Sequence, residues 1–228
     1  MFKKTLLFLF GSYLMVTASY ASSIEFDTPA GATTSGPVSD KAIITTSAGQ
    51  ITIEVVDLLV NPTDVAQLIS GFFFTLSNAP GTLPATVVPS ASDVLIDNHA
   101  ATADGSAIQT WAVTKAGNTV TVDDLNGGQP KELIIGPGPY SNANGSIDGN
   151  SGHNPFINQT ATFTISASGV TANTTITGFS FDFGTTEGVH VAGDPVSSSP
   201  EESTIVLTSS GALLILLSRL RRRQKTVR

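Results

Sequence analysis

No cysteine occurs in the 228 residues of this chain. That excludes a disulfide framework, thiol catalysis and thiolate metal sites together. Positive charge is nearly missing from the interior. Of eleven basic residues, Lys3 and Lys4 stand at the N-terminus and six lie between Arg219 and Arg228, leaving only Lys41, Lys115 and Lys131 in residues 22–199. Against those three bases the same stretch holds sixteen acids, a net charge of −13. Such a body repels phosphate backbones, which excludes nucleic acid as a partner; it suits cations and hydroxyl-rich polymers. Strong helix formers are also scarce there, with no Arg and no Met, and no Glu between Glu54 and Glu132. Thr, Ser, Gly, Asn and Val fill the space, a composition that favours strands and turns.

The two ends read differently from the body. Lys3-Lys4, an apolar run from Leu6 to Val16 and small residues up to Ala21 have the order of a secretory signal, with cleavage after Ala21. The run is too short for a membrane span, which needs roughly 20 apolar residues. At the far end a second apolar run, Ile205 to Leu217, is followed at once by Arg219, Arg221, Arg222 and Arg223. That reads as a transmembrane helix over 204–220 whose basic end stays in the cytoplasm, the body lying on the opposite side. The expected division is signal peptide 1–21, body 22–193, spacer 194–203, and hydrophobic helix with basic end 204–228.

Within the body, short apolar or alternating runs recur between turn clusters. Ala42–Thr46 and Gln50–Leu58 flank Ser47-Ala48-Gly49 as a hairpin. Phe72–Leu76, Asp93–Ile96, Gln109–Thr114, Thr119–Leu125, Glu132–Ile135, Ala161–Ala167, Thr175–Phe183 and Val189–Val191 read as further strands. One short helix is expected over 61–70, with Asn61 as N-cap, Pro62 in the first turn and Gly71 as stop. The fold class expected is all-β, an antiparallel β-sandwich with one short helix, between the N-terminal signal peptide and the C-terminal transmembrane helix. Trp111, Tyr140 and the tandem Phe72, Phe73 and Phe74 are rings that could stack on sugars, but most aromatics of a sandwich are core, and Phe73, Phe163, Phe179, Phe181 and Phe183 are expected there.

Chemistry is thinly signposted. His99, His153 and His190 are isolated and lack metal-ligand spacing. Asp148-Gly149-Asn150 and Asp123-Asp124-Leu125-Asn126 alternate oxygen ligands as calcium loops do, but the twelfth positions are Gln159 and Ile134 where a bidentate Glu belongs. Asp148 and Asn150 remain the nearest approach to a Ca²⁺ site. No Gly-x-Ser-x-Gly elbow supports a serine hydrolase. No catalytic residue and no cofactor are assigned.

Pro200, Glu201, Glu202, Ser203 and Thr204, followed by the apolar span and the Arg cluster, resemble the PEP-CTERM sorting domain; Glu202 stands where that motif has its second proline. The resemblance implies processing by an exosortase after signal peptidase has acted. It also implies an inner-membrane-anchored precursor with a periplasmic body, then a place at the cell surface or in an exopolysaccharide-rich biofilm matrix. Asn61–Ser70, Phe74–Asn78, Tyr140–Ser146, His153–Phe156 and Phe183–Thr185 are similar to phrases of one group of such proteins, whose body has no assigned activity. The function expected is non-enzymatic, structural or polysaccharide-associated. A secreted carbohydrate-active enzyme and a plain type I membrane protein are the alternatives.

Overall fold

A computed structural model describes residues 21–125 and 129–196. The expected signal peptide apart from Ala21, the sorting motif Pro200–Thr204, the apolar helix and the basic cluster Arg219, Arg221, Arg222 and Arg223 lie outside the described residues. The strands are β1 (Ser22–Asp27), β2 (Asp40–Ser47), β3 (Gln50–Asp57), β4 (Ile69–Leu76), β5 (Thr86–Val87), β6 (Asp93–Asp97), β7 (Ala100–Ala103) and β8 (Trp111–Ala116). They continue as β9 (Thr119–Asp123), β10 (Ile134–Ile135), β11 (Phe156–Asn158), β12 (Thr160–Ser166), β13 (Ile176–Phe183), β14 (His190–Ala192) and β15 (Asp194–Val196). The chain is all-β.

Two sheets form. The smaller runs β12-β3-β2-β1-β15; the larger runs β5-β8-β9-β4-β10-β11-β6-β7, with β13 also pairing β4 and β14 lying outside β13. Every pairing is antiparallel except β10 with β11, which is parallel, so a wholly antiparallel arrangement is corrected at that point. Strand period explains the packing: Ala42, Ile44, Ile51, Ile53, Val55, Ala161, Phe163 and Ile165 point from one sheet toward Phe72, Phe74, Val120, Val122, Phe179 and Phe181 of the other. Aromatic contacts bridge the layers. Phe163 meets Phe72 and Trp111, each with centroids 5.0 Å apart, and Phe26 stacks on Phe179 at 5.6 Å. A second cluster, with Leu68, Ile96, Leu133, Tyr140, Ile147 and Phe156, lies beneath the turn-rich stretch that follows β10.

The expected helix is overturned. Only a 3-10 turn, Val65–Gln67, forms there, and its N-cap is Asp64, whose carboxylate accepts the Ala66 N–H at 2.9 Å while Gln67 reaches back to the Asp64 N–H at 3.1 Å. Asn61 has φ +58°, a left-handed geometry outside the extended region an N-cap uses. Val65, Leu68 and Ile69 make too short an apolar stripe to hold a helix against sheet pairing. Ile69 pairs instead with Ile134 and Phe183, and Gly71 sits inside β4 rather than ending a helix.

Two strand-to-strand joints carry the chain between layers. Gln159, at φ +62°, separates β11 in the larger sheet from β12 in the smaller. Gly193 does the same between β14 and β15. Residues 194–196, expected as spacer, therefore belong to the smaller sheet. Glu25 lies opposite Val196 and Asp27 opposite Asp194, so β15 runs back along β1 toward Ser22.

Candidate functional site

The outward face of the larger sheet gathers the polar groups that could meet a ligand. In β4, Phe72, Phe74 and Leu76 are core, so Gly71, Phe73 and Thr75 turn outward. Register then fixes what stands beside them. His190 of β14 lies opposite Asp182 of β13, which lies opposite Gly71 of β4, then Asp123 of β9, Ala112 of β8 and Thr86 of β5. The neighbouring row is Ala192, Ser180, Phe73, Thr121 and Thr114. Phe73 is partly exposed at the centre of this row, and its ring meets the His190 imidazole edge-on at 5.5 Å.

Gly71 makes a notch between two carboxylates. Asp123 and Asp182 flank it on adjacent strands, so their Cα atoms are about 10 Å apart at the usual strand spacing. A Cβ at Gly71 would sit 3.0 Å from the Asp123 Cβ and from the Val122 carbonyl oxygen, so only glycine leaves the floor open. Burial raises the Asp182 carboxyl to about 6, against the pull of His190 and with a further push from Asp123. Asp123 is also raised, first by burial, with the Leu125 N–H lowering it and Glu187 raising it.

Toward β5 the face opens into a cleft of about 800 Å³ lined by Gln109, Thr114, Asp123, Asp124, Gln129 and Lys131 among others. That volume is within the usual range of small-molecule sites, roughly 300–1,000 Å³. Asp124 is pushed to about 8, mainly by burial and then by Glu132. Glu132, φ +60°, is itself raised to about 7 by burial and by Asp93 and Asp104, although its carboxylate accepts the Gln109 N–H. Chemically the cleft offers two carboxyls, of which Asp124 is pushed up to about 8, two amides and one ammonium. None of the residues lining it is aromatic.

A separate acidic pair is sealed inside. Asp40 and Asp57 are direct partners across β2 and β3, on the core face, and are 2 % and 0 % exposed. Asp57 Oδ1 accepts the Leu59 N–H at 2.9 Å, with the Gly136 N–H as a second donor. Asp57 Oδ2 and both oxygens of Asp40 have no protein partner. Burial, and for Asp40 the neighbouring Asp57, raises both; Asp40 reaches about 9. Buried side by side, the two cannot both ionise, and Asp57, with two backbone donors, is the better placed to carry the charge.

The residues singled out in the sequence scatter. Asp148 takes the His99 backbone N–H at 3.0 Å and lies 3.3 Å from its imidazole, while Asn150 Oδ1 takes the Gly152 N–H at 2.8 Å. Both side chains are occupied in turn chemistry. Among the described residues no group of three or more His, Asp or Glu converges as metal ligands. His153 is buried with Nδ1 3.0 Å from the Pro130 carbonyl, and His190 alone reaches the outward face. Trp111 and Tyr140 are 0 % and 3 % exposed and offer no sugar platform. Phe163, Phe179, Phe181 and Phe183 are core as expected, but Phe73 is not: Phe72 and Phe74 take the core positions. Ala21 is exposed, one residue ahead of β1. Asp123 was read only as part of a calcium-like run, and its Oδ1 takes the Leu125 N–H instead at 3.1 Å. Asp182 and the Gly71 notch were not expected, although the alternation of Phe179, Phe181 and Phe183 with Ser180 and Asp182 marks Asp182 as outward. No family model, curated protein or solved structure matches this chain.

Proposed function

We propose that this chain is an exported matrix protein, sorted through its PEP-CTERM-like tail by an exosortase and structural or polysaccharide-associated in its final place. The tail carries this reading: Pro200, Glu201, Ser203 and Thr204, then the apolar run, then Arg219, Arg221, Arg222 and Arg223. Mass spectrometry of the mature protein from the native envelope tests the proposal. A C-terminus near Pro200–Thr204 is expected, and Pro200→Ala with Glu201→Ala should leave full-length chain in the membrane. A mature protein ending at Arg228 would make it a plain type I membrane protein instead.

One observation favours a second reading, a secreted carbohydrate-active enzyme: Asp124 and Glu132 hold protons near neutrality beside the cleft. New reducing ends released from an exopolysaccharide, and lost in Asp124→Asn, would carry that reading; their absence across neutral, acidic and amine-bearing polymers would remove it.

A further inference from the structure

We propose that the outward face of the larger sheet binds a polysaccharide strand bearing protonated amino groups, with Phe73 as the stacking ring and Asp123 and Asp182 closing on an amine above Gly71. The inference rests on the matrix reading above and gives that matrix a chemical class. Three properties of the face select the ligand. Its shape is long: from His190 to Thr86 the row crosses six strands, about 24 Å at the usual spacing, which suits a linear chain. Its surface carries hydroxyls, with Thr121, Thr114 and Thr75 able to donate to and accept from sugar hydroxyls around a single ring, Phe73, while Ser180 in the same row is buried. Its charge is mainly negative, with His190 the one basic side chain in the row. Asp123 and Asp182 face each other over a floor with no side chain, Glu187 adds to the field at Asp123, and the whole body is net negative.

Charge complementarity decides among polymers. An acidic polysaccharide is repelled, and a neutral one satisfies the hydroxyls but leaves the paired carboxylates unanswered. An ammonium between them gains charge-assisted hydrogen bonds while the sugar ring lies on Phe73.

Titration calorimetry of the purified full chain at low salt and near-neutral pH, with oligomers of glucosamine, N-acetylglucosamine, glucose and a uronic acid, tests this. The glucosamine oligomer is expected to bind best and to weaken as salt is added. Phe73→Ala and Asp182→Asn should each weaken it about tenfold, while Phe73→Tyr retains it and Asp194→Asn, in the other sheet, changes nothing. Melting curves that overlay wild type show that each variant is folded; Asp123→Asn replaces Asp182→Asn if the latter is not. Equal binding of the neutral or acidic oligomer, unchanged binding in the Phe73→Ala and Asp182→Asn chains, or no binding at all would overturn the site. A blank titration on a chain whose native counterpart is cut near Pro200 removes this site alone and leaves sorting intact.

Discussion

The melting temperature of the folded body should fall as the pH rises from 5 to 8, opposite to proteins whose carboxylates are held by salt bridges. The cause is Asp40 facing Asp57 in the core, with no ion pair to either among the described residues. In the unfolded chain both carboxyls lose their protons near the ordinary value of about 3.9. In the folded chain Asp40 keeps its proton up to about 9. Between those limits the unfolded state binds fewer protons than the folded one, so each step up in pH favours unfolding. That stability is complete only below about pH 3.9 and is lost progressively toward pH 9. Asp182, Asp124 and Glu132, raised to about 6, 8 and 7, act in the same direction. Each pK unit corresponds to about 1.4 kcal/mol, and 1 kcal/mol moves the midpoint of a domain of this size by about 2–4 °C. A drop on the order of 10 °C between pH 5 and pH 8 is therefore expected by calorimetry. Asp40→Asn removes the titrating carboxyl beside Asp57 and should flatten that slope, raising the midpoint at pH 8. A slope of the opposite sign in the wild-type chain would show that the pair holds something other than a proton.

Phe72→Ala should be the most damaging single truncation in β4, and its neighbour Phe73→Ala one of the mildest. Phe72 is fully buried; it meets Phe163 edge-on at 5.0 Å and stacks with Phe179 at 5.7 Å, so its loss opens a void between the layers. Truncations of this kind cost about 3–5 kcal/mol, which in a domain of this size corresponds to a fall of roughly 10 °C or more. Phe73 looks outward onto His190, and its removal should cost less than about 1 kcal/mol. Chemical denaturation of both variants checks the contrast. Comparable losses would mean that the register of β4 is shifted by one residue, which would exchange its faces.

That pair of residues also marks how far sequence reasoning reaches. Strands with clean alternation were legible: Ile51, Ile53 and Val55 in β3 and Phe179, Phe181 and Phe183 in β13 announce both their conformation and their buried face. Three consecutive phenylalanines announce a strand but carry no phase, and phase came from β9 and β13 on either side. The helix expected over 61–70 had a cap, a proline and a stop in good order, yet tertiary pairing of Ile69 prevailed over local propensity. Strands β1, β5, β7, β11 and β15 were not read, because short strands draw their stability from partners distant in sequence. The site was less legible still. Asp123 and Asp182 are 59 residues apart in the chain, and only their common register with Gly71 brings them to one row.

Under the proposed C-terminal anchoring, the three-residue ladder between β15 and β1 has a mechanical meaning. A pull along that tether reaches Val196 first and loads the bond ladder at its end, so hydrogen bonds break in succession rather than together. Strand β15, with all three residues exposed, would peel at low force while the aromatic layers stay closed. The body would then yield at its attachment by about ten ångströms of strand length before its core bears any load.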